Sequence, residues 1–185
     1  MKKELDLGKE KIGKLLLAFS VPCIISMIIN SIYNIVDQIF IGKGVGIIGN
    51  AATNVIFPIV IICNALAGLV GNGAAANLSL RLGEGKKDEA KKSIGSSITL
   101  LFIISILVVI IFELLLPNLV YAFGCTKNVY SSAMTYGRII VFGSFFMIVY
   151  SGLSQIIRAD GSPKYSMVCL LVGAILNIIL DPIFI

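Results

Sequence analysis

Five apolar runs, each long enough to cross a bilayer, constrain this chain more than any other feature; they fall at about 15–41, 51–80, 94–116, 133–156 and 164–185. A spanning helix needs about 20 such residues. Lipid offers no partner for free backbone N–H and C=O groups, so only helices and closed barrels span it. These runs are too long for barrel strands and lack their alternation. The expected fold is therefore an all-α membrane protein with five transmembrane helices. Composition agrees: 57% of the 185 residues are hydrophobic and 14% charged, where a soluble domain carries about a quarter charged. A disordered chain would carry fewer apolar residues still.

The second run, roughly 45 Å long as a straight helix, contains Pro58, Gly68, Gly71, Gly73 and several Asn, and a tilted or broken helix is expected there. Ala67, Gly71 and Ala75, four apart, would allow close helix contact. Orientation follows the cations. With the N-terminus in the cytoplasm, the inner segments hold Lys2, Lys3, Lys9, Lys11, Lys14, then Arg81, Lys86, Lys87, Lys91, Lys92, then Arg158 and Lys164. The outer loops hold Lys43 and Lys127, with Arg138 near the outer end of the fourth run. Residues 1–14 then form a cytoplasmic segment and 15–185 the helical part. A cleaved signal peptide is not expected, because no A-x-A-like site follows the first run. The text stops at Ile183-Phe184-Ile185, inside apolar sequence, which suggests a partial chain rather than an intact five-helix protein.

Several chemistries find no support. Histidine is absent, which removes the commonest metal ligand and the usual neutral-pH proton carrier. Cys23, Cys63, Cys125 and Cys169 are scattered singly and read as packing residues. Gly44, Gly46 and Gly49 spell G-x-G-x-x-G, but between two membrane helices, not in a βαβ unit. Residues 81–92 read as a charged turn in which Glu84, Asp88 and Glu89 pair with neighbouring Lys. No nucleophile has a visible base partner, so no enzyme is expected. The net charge of +5 flanks the apolar runs, so its partner is the lipid bilayer and not nucleic acid.

Three acids lie within the runs: Asp37, Glu113 and Asp181. Each costs about 2.5–3.5 kcal/mol at a helix centre on insertion scales. Glu113, four residues before Pro117, can snorkel to water. Asp37 rises roughly 33 Å from residue 15 and Asp181 roughly 26 Å from residue 164, so both reach comparable depth in the outer half. Asn30, Tyr33 and Asn34 share the face of Asp37, and Asn177 that of Asp181. Carboxylate and amide oxygens together suit a hard cation or a proton site; the alternative is interhelical hydrogen-bond clusters. Asn54, Asn64, Asn72 and Asn77 could line the same cavity, with interhelical bonding the stronger alternative for each.

Val21-Pro22-Cys23-Ile24-Ile25 and the run Tyr33-Asn34-Ile35-Val36-Asp37-Gln38-Ile39-Phe40-Ile41-Gly42 resemble the first helix of multidrug and toxic compound extrusion (MATE) transporters. Gly71-Asn72-Gly73 through Ala90 resembles the end of the second helix and its loop. Arg158-Ala159-Asp160-Gly161-Ser162-Pro163 and Asn177-Ile178-Ile179-Leu180-Asp181-Pro182 resemble the fourth loop and fifth helix. The resemblance implies twelve helices in two six-helix lobes, of which this chain supplies most of the first. It also implies exchange of Na⁺ or H⁺ for organic, often cationic, compounds in a bacterial plasma membrane, with no cofactor beyond the coupling ion. By position, Asp37 matches the first-helix aspartate, Asn177 and Asp181 the fifth-helix cation-site pair, and Pro22 the proline at which first-helix bending has been proposed. Tyr33 falls beside the family's cavity, so Tyr33, Asn34 and Asn64 are the substrate-cavity candidates. The missing partner is the C-terminal half. Two alternatives remain: a lipid-linked oligosaccharide flippase, which should line its cavity with Arg and Lys, and a non-transporting membrane subunit completed by a partner.

Overall fold

The computed structural model describes residues 11–184, with side chains described through residue 180. These residues form α1 (Ile12–Gly44), α2 (Ile47–Gly83), α3 (Lys87–Ala122), α4 (Lys127–Ala159) and α5 (Pro163–Phe184). All five contain a stretch long and apolar enough to cross a membrane, and the chain is a multi-pass membrane protein. The first four helices contain their expected runs and overshoot them at both ends; α5 covers its run as far as Phe184, and residue 185 lies outside the described residues. The 37 residues of α2 extend about 55 Å, against a hydrocarbon slab of about 30 Å, so the excess lies at headgroup level, where polar flanks can stay helical. Of the expected N-terminal segment, residues 1–10 lie outside the described residues.

Of the tilt or break expected in α2, the break does not occur: the helix is continuous through Pro58. A proline gives up its own N–H bond, here to the Asn54 carbonyl, and crowds that carbonyl, but α2 is braced by α4 and α3. The turns are short, and in the first of them Gly46 takes φ 79°, a left-handed conformation open to glycine. Gly44 ends α1 and Gly49 sits in the first turn of α2, so the G-x-G-x-x-G text is indeed a helix–turn–helix. The α2–α3 and α4–α5 turns and the start of α1 make one end of the bundle, here termed the basic end.

Packing divides the helices into two groups. Helices α2, α3 and α4 pack on one another and hold most of the core, including Ile56, Ile59, Leu101, Leu116 and Ile148, all fully buried. Helix α1 packs chiefly on α5, and this pair touches the block more sparsely through α4 and α2. Along α1 only Pro22 and Ile41 are buried. Lipid supplies no hydrophobic drive between helices, so close fit must hold the block together. A Cβ on Gly71 would lie 2.8 Å from the Gly152 carbonyl oxygen and 2.9 Å from its Cα, so α2 and α4 meet there backbone to backbone. The stripe runs Ala67, Gly71, Ala74, Leu78; Ala75, expected in it, is only half-buried. Offsets of 4, 3 and 4 follow the 3.6-residue period, whereas strict fours drift off it.

At the α2–α3 turn Arg81 pairs with Glu84 at 3.2 Å and Glu89 at 3.0 Å, and Lys86 with Glu84 at 3.0 Å. The acids therefore centre on Arg81 more than on the lysines, and Asp88 makes no ion pair among the described residues.

Candidate functional site

Between the α1/α5 pair and the block runs a cleft of about 1160 Å³. Helix α1 lines it with Asn30, Tyr33, Asn34 and Asp37, at the 3–4 spacing that puts residues on one face. Helix α5 contributes Ser166 and Asn177, and α2 contributes Thr53, Asn54 and Asn64. On α4 the lining follows one stripe: Tyr136, Ser144, Tyr150, Ser154 and Arg158. Tyr136 to Arg158 is about 33 Å of helix, so the cleft runs most of the bundle's length. Near the basic end the Ser154 and Ser166 hydroxyls, 2.6 Å apart, tie α4 to α5.

The structure brings Asp37 and Asn177 to the same cleft, both half-buried. Asp181 is one turn beyond Asn177 in α5, and its side chain lies outside the described residues. Tyr33 is half-buried one turn before Asp37. Asn34 donates to the Asn30 carbonyl at 2.6 Å and to Asn30 Oδ1 at 3.1 Å, which commits its amide hydrogens within its own helix. Asn64 likewise donates to the Val60 carbonyl at 3.0 Å, and its nearest cross-helix polar contact is Met147 Sδ at 4.0 Å. Of the four α2 asparagines, Asn54 and Asn64 line the cleft, and Asn64 and Asn72 line a shallower groove between α2 and α4. Asn77 is exposed and lines neither. Of the interhelical bonding weighed for them, only the long Asn64–Met147 contact occurs among the described residues, because they lie on the face of α2 turned from the core. Pro22 is buried in α1, and Ser26 Oγ donates to its carbonyl at 2.8 Å.

Glu113 differs from expectation. It does not simply reach for water: its Oε1 lies 3.5 Å from Arg138 Nε on α4, while its Oε2 is buried and accepts no hydrogen bond among the described residues. Arg138 is eight residues from Phe146 and two from Tyr136, which puts it on the side of α4 opposite the cleft stripe. The pair thus belongs to the outer seam of α3 and α4, apart from the candidate site.

Sequence reasoning missed the α4 contribution. Tyr136, Tyr150 and Arg158 recur at helical spacing with Ser144 and Ser154, a polar stripe readable within an apolar run, but no acid on that helix marked it. Tyr136 and Tyr150 line the same cleft as Asp37, Tyr33 and Arg158. Among the described residues the cleft therefore offers one carboxylate, amide oxygens and phenol hydroxyls at its Asp37 end, an oxygen donor set of the kind hard cations take.

A family model matches this architecture: MatE, over residues 22–183, a span that includes Asp37, Asn177 and Asp181. The chain belongs to the MatE family. Among curated relatives, the multidrug export protein MepA of Staphylococcus aureus (strain NCTC 8325 / PS 47) is 31% identical over 179 residues, covering 96% of this chain and 39% of MepA. The probable multidrug resistance protein YoeA of Bacillus subtilis (strain 168) is 23% identical over 178 residues, covering 96% of this chain and 38% of YoeA. A solved structure of the MATE multidrug transporter DinF-BH superposes with a TM-score of 0.91 at 37% identity, over 100% of this chain and 41% of that one. An outward-facing multidrug resistance MATE transporter gives 0.90 at 27% identity, over 100% and 41%. The MatE chain described here thus spans about two-fifths of the length of its relatives, and its five helices correspond to part of their N-terminal lobe. The names of these relatives describe transporters, not enzymes.

Proposed function

We propose that the chain works as the N-terminal part of a secondary antiporter that exports small organic, often cationic, compounds in exchange for Na⁺ or H⁺. Its place is the bacterial plasma membrane, with the N-terminus cytoplasmic and the remainder of the transporter as its partner. The observation that carries this reading is the convergence of Asp37 and Asn177 on one polar cleft between the loosely attached α1/α5 pair and the packed block.

Asp37, with Asp181 a turn beyond Asn177, forms the coupling site; Pro22 is the bending point of α1, and Tyr33, Asn34 and Asn64 face the substrate path. An ionised Asp37 in an apolar span carries a penalty of about 2.5–3.5 kcal/mol. Binding Na⁺ or a proton neutralises the charge and removes that penalty only in the conformation that closes around the ion. The ion shifts the equilibrium by its differential affinity for the two states and no more. Because α1 is tied to the block by few contacts, it can follow Asp37 without breaking the core. Competition for a neutralised cleft then expels the organic cation.

A flippase for anionic lipid-linked sugars is not favoured: Arg138 faces away from the cleft, which leaves Arg158 as its one guanidinium among the described residues. The test is efflux of a cationic dye from cells bearing the intact gene product. Asp37→Asn and Asp181→Asn should each abolish ion-driven efflux with expression intact; unchanged efflux in both would refute the proposal.

A further inference from the structure

The Glu113–Arg138 pair on the outer seam of α3 and α4 is unfinished. Its one contact, Arg138 Nε to Glu113 Oε1 at 3.5 Å, is longer than the span of about 2.7–2.9 Å usual for a charge-assisted bond. Glu113 Oε2 is buried without a hydrogen bond, and this carboxylate is the one polar partner of Arg138 among the described residues. A guanidinium carries a planar fork of N–H donors, and the Arg138 side chain is 64% exposed. Most of that fork is therefore open to whatever surrounds the seam. On the orientation proposed above, Glu113 lies about 5 Å and Arg138 about 8 Å inside the outer ends of their apolar runs. At that depth a long cationic side chain snorkels to lipid phosphate. Helices α3 and α4 run antiparallel, so the next turn toward the bilayer centre is Ile110 on one and Phe142 on the other, 52% and 63% exposed. A polar pair with an apolar strip beneath it matches the headgroup and acyl chains of one phospholipid.

Charge selects the headgroup. Arg138 beside Glu113 presents a dipole with no net charge, which offers little to a purely anionic lipid. A zwitterionic headgroup presents the opposite dipole: a phosphate diester, which a guanidinium fork binds through two N–H groups, and a cationic nitrogen for the carboxylate. An ethanolamine ammonium donates hydrogen bonds as a lysine ammonium does, whereas the quaternary nitrogen of choline has no hydrogen to give. We propose that the outer seam of α3 and α4 is a binding site for phosphatidylethanolamine, with the lipid phosphate on Arg138 and its ammonium on Glu113. The site stands apart from the cleft and is independent of the coupling role of Asp37. Its competitor for the seam is a helix from the remainder of the transporter.

The intact gene product, in a single-cysteine background with a fluorophore at Ile139→Cys, 67% exposed beside Arg138, is placed in phosphatidylcholine nanodiscs. Each sample is doped with a trace of nitroxide-bearing phosphatidylethanolamine, phosphatidylcholine or phosphatidylglycerol, and quenching reads how often that lipid occupies the seam. The ethanolamine lipid should quench about three- to fivefold more than the choline lipid, the factor a partly exposed ion pair supplies. Glu113→Gln should abolish that preference and raise quenching by the glycerol lipid, because Arg138 then stands unneutralised. Arg138→Gln should lower quenching by every lipid, the glycerol lipid most, and Arg138→Lys should recover the part that charge alone supplies. Equal quenching by ethanolamine and choline lipids in the wild type, or a preference unchanged in Glu113→Gln, overturns the site. Quenching by none of the three, as when another helix covers the seam, overturns it as well.

Discussion

The α2–α4 block and the α1/α5 pair are made of similarly apolar text and differ in how they use it. In the block, Leu101, Leu116, Val120, Val141 and Ile148 are fully buried against neighbours. In α1, Leu16, Leu17, Met27 and Ile35 are each 60% or more exposed, which is tolerable where the surroundings are lipid. The polar residues divide the same way. Deep in the block Ser105 spends its hydroxyl on the Phe102 carbonyl at 2.8 Å and Ser144 on the Val141 carbonyl at 2.6 Å, each within its own helix, while Ser154, at the seam with the pair, bonds Ser166 of α5. The acid and amide of the proposed coupling site, Asp37 and Asn177, sit on the pair. Moving charge on a sparsely packed element against a close-packed one lets a small ligand shift a helix at little packing cost.

The largest effect that would break this contrast is expected at Gly71. Gly71→Val forces a side chain into the Gly152 backbone and should destabilise the block by about 3 kcal/mol or more, read as loss of monodisperse protein on size exclusion. A comparable volume added at Ile35, 62% exposed on α1, should cost almost nothing. Equal losses at the two positions would dissolve the distinction between the groups.

Next comes Ser154→Ala, which leaves the buried Ser166 hydroxyl without its partner and should cost about 1–3 kcal/mol. Replacing both serines should cost less than replacing one, since no orphaned group remains. A thermal-unfolding cycle over the four variants measures that sign. Smallest is Arg138→Gln: with the arginine side chain 64% exposed and the contact to Glu113 at 3.5 Å, the change should stay below about 1 kcal/mol. A larger drop in melting temperature would mean that the outer seam of α3 and α4 matters more to the block than its exposure implies.

Much of this organisation was legible in the residues. Helix number and order follow from apolar run length, and the placement of Asp37 and Asn177 on one cleft follows from pairing costly acids with polar companions at helical spacing. The continuity of α2 was not legible, because Pro58 and the glycines look like breakers until α4 is seen to brace them. Nor was the fate of Glu113: its distance to the run's end suggested water, and only the fold puts Arg138 across from it. The α4 lining was visible as a stripe of Tyr136, Ser144, Tyr150 and Ser154, yet hydroxyls within apolar text have so many bland uses that spacing alone does not select them. The division into block and pair is a property of contacts and has no signature in composition.

If a cation at Asp37 moves α1 relative to a block that stays fixed, the motion can be measured directly. Spin labels at Ile35 on α1, Phe142 on α4 and Leu114 on α3, all exposed positions, report it through pulsed electron-spin distances in lipid nanodiscs with and without Na⁺ and across pH. The 35–142 distance distribution should shift with the coupling cation, the 114–142 distribution should not, and Asp37→Asn should remove the shift. A 35–142 distribution indifferent to both Na⁺ and pH, or one that moves together with 114–142, contradicts a mobile α1 on a fixed block.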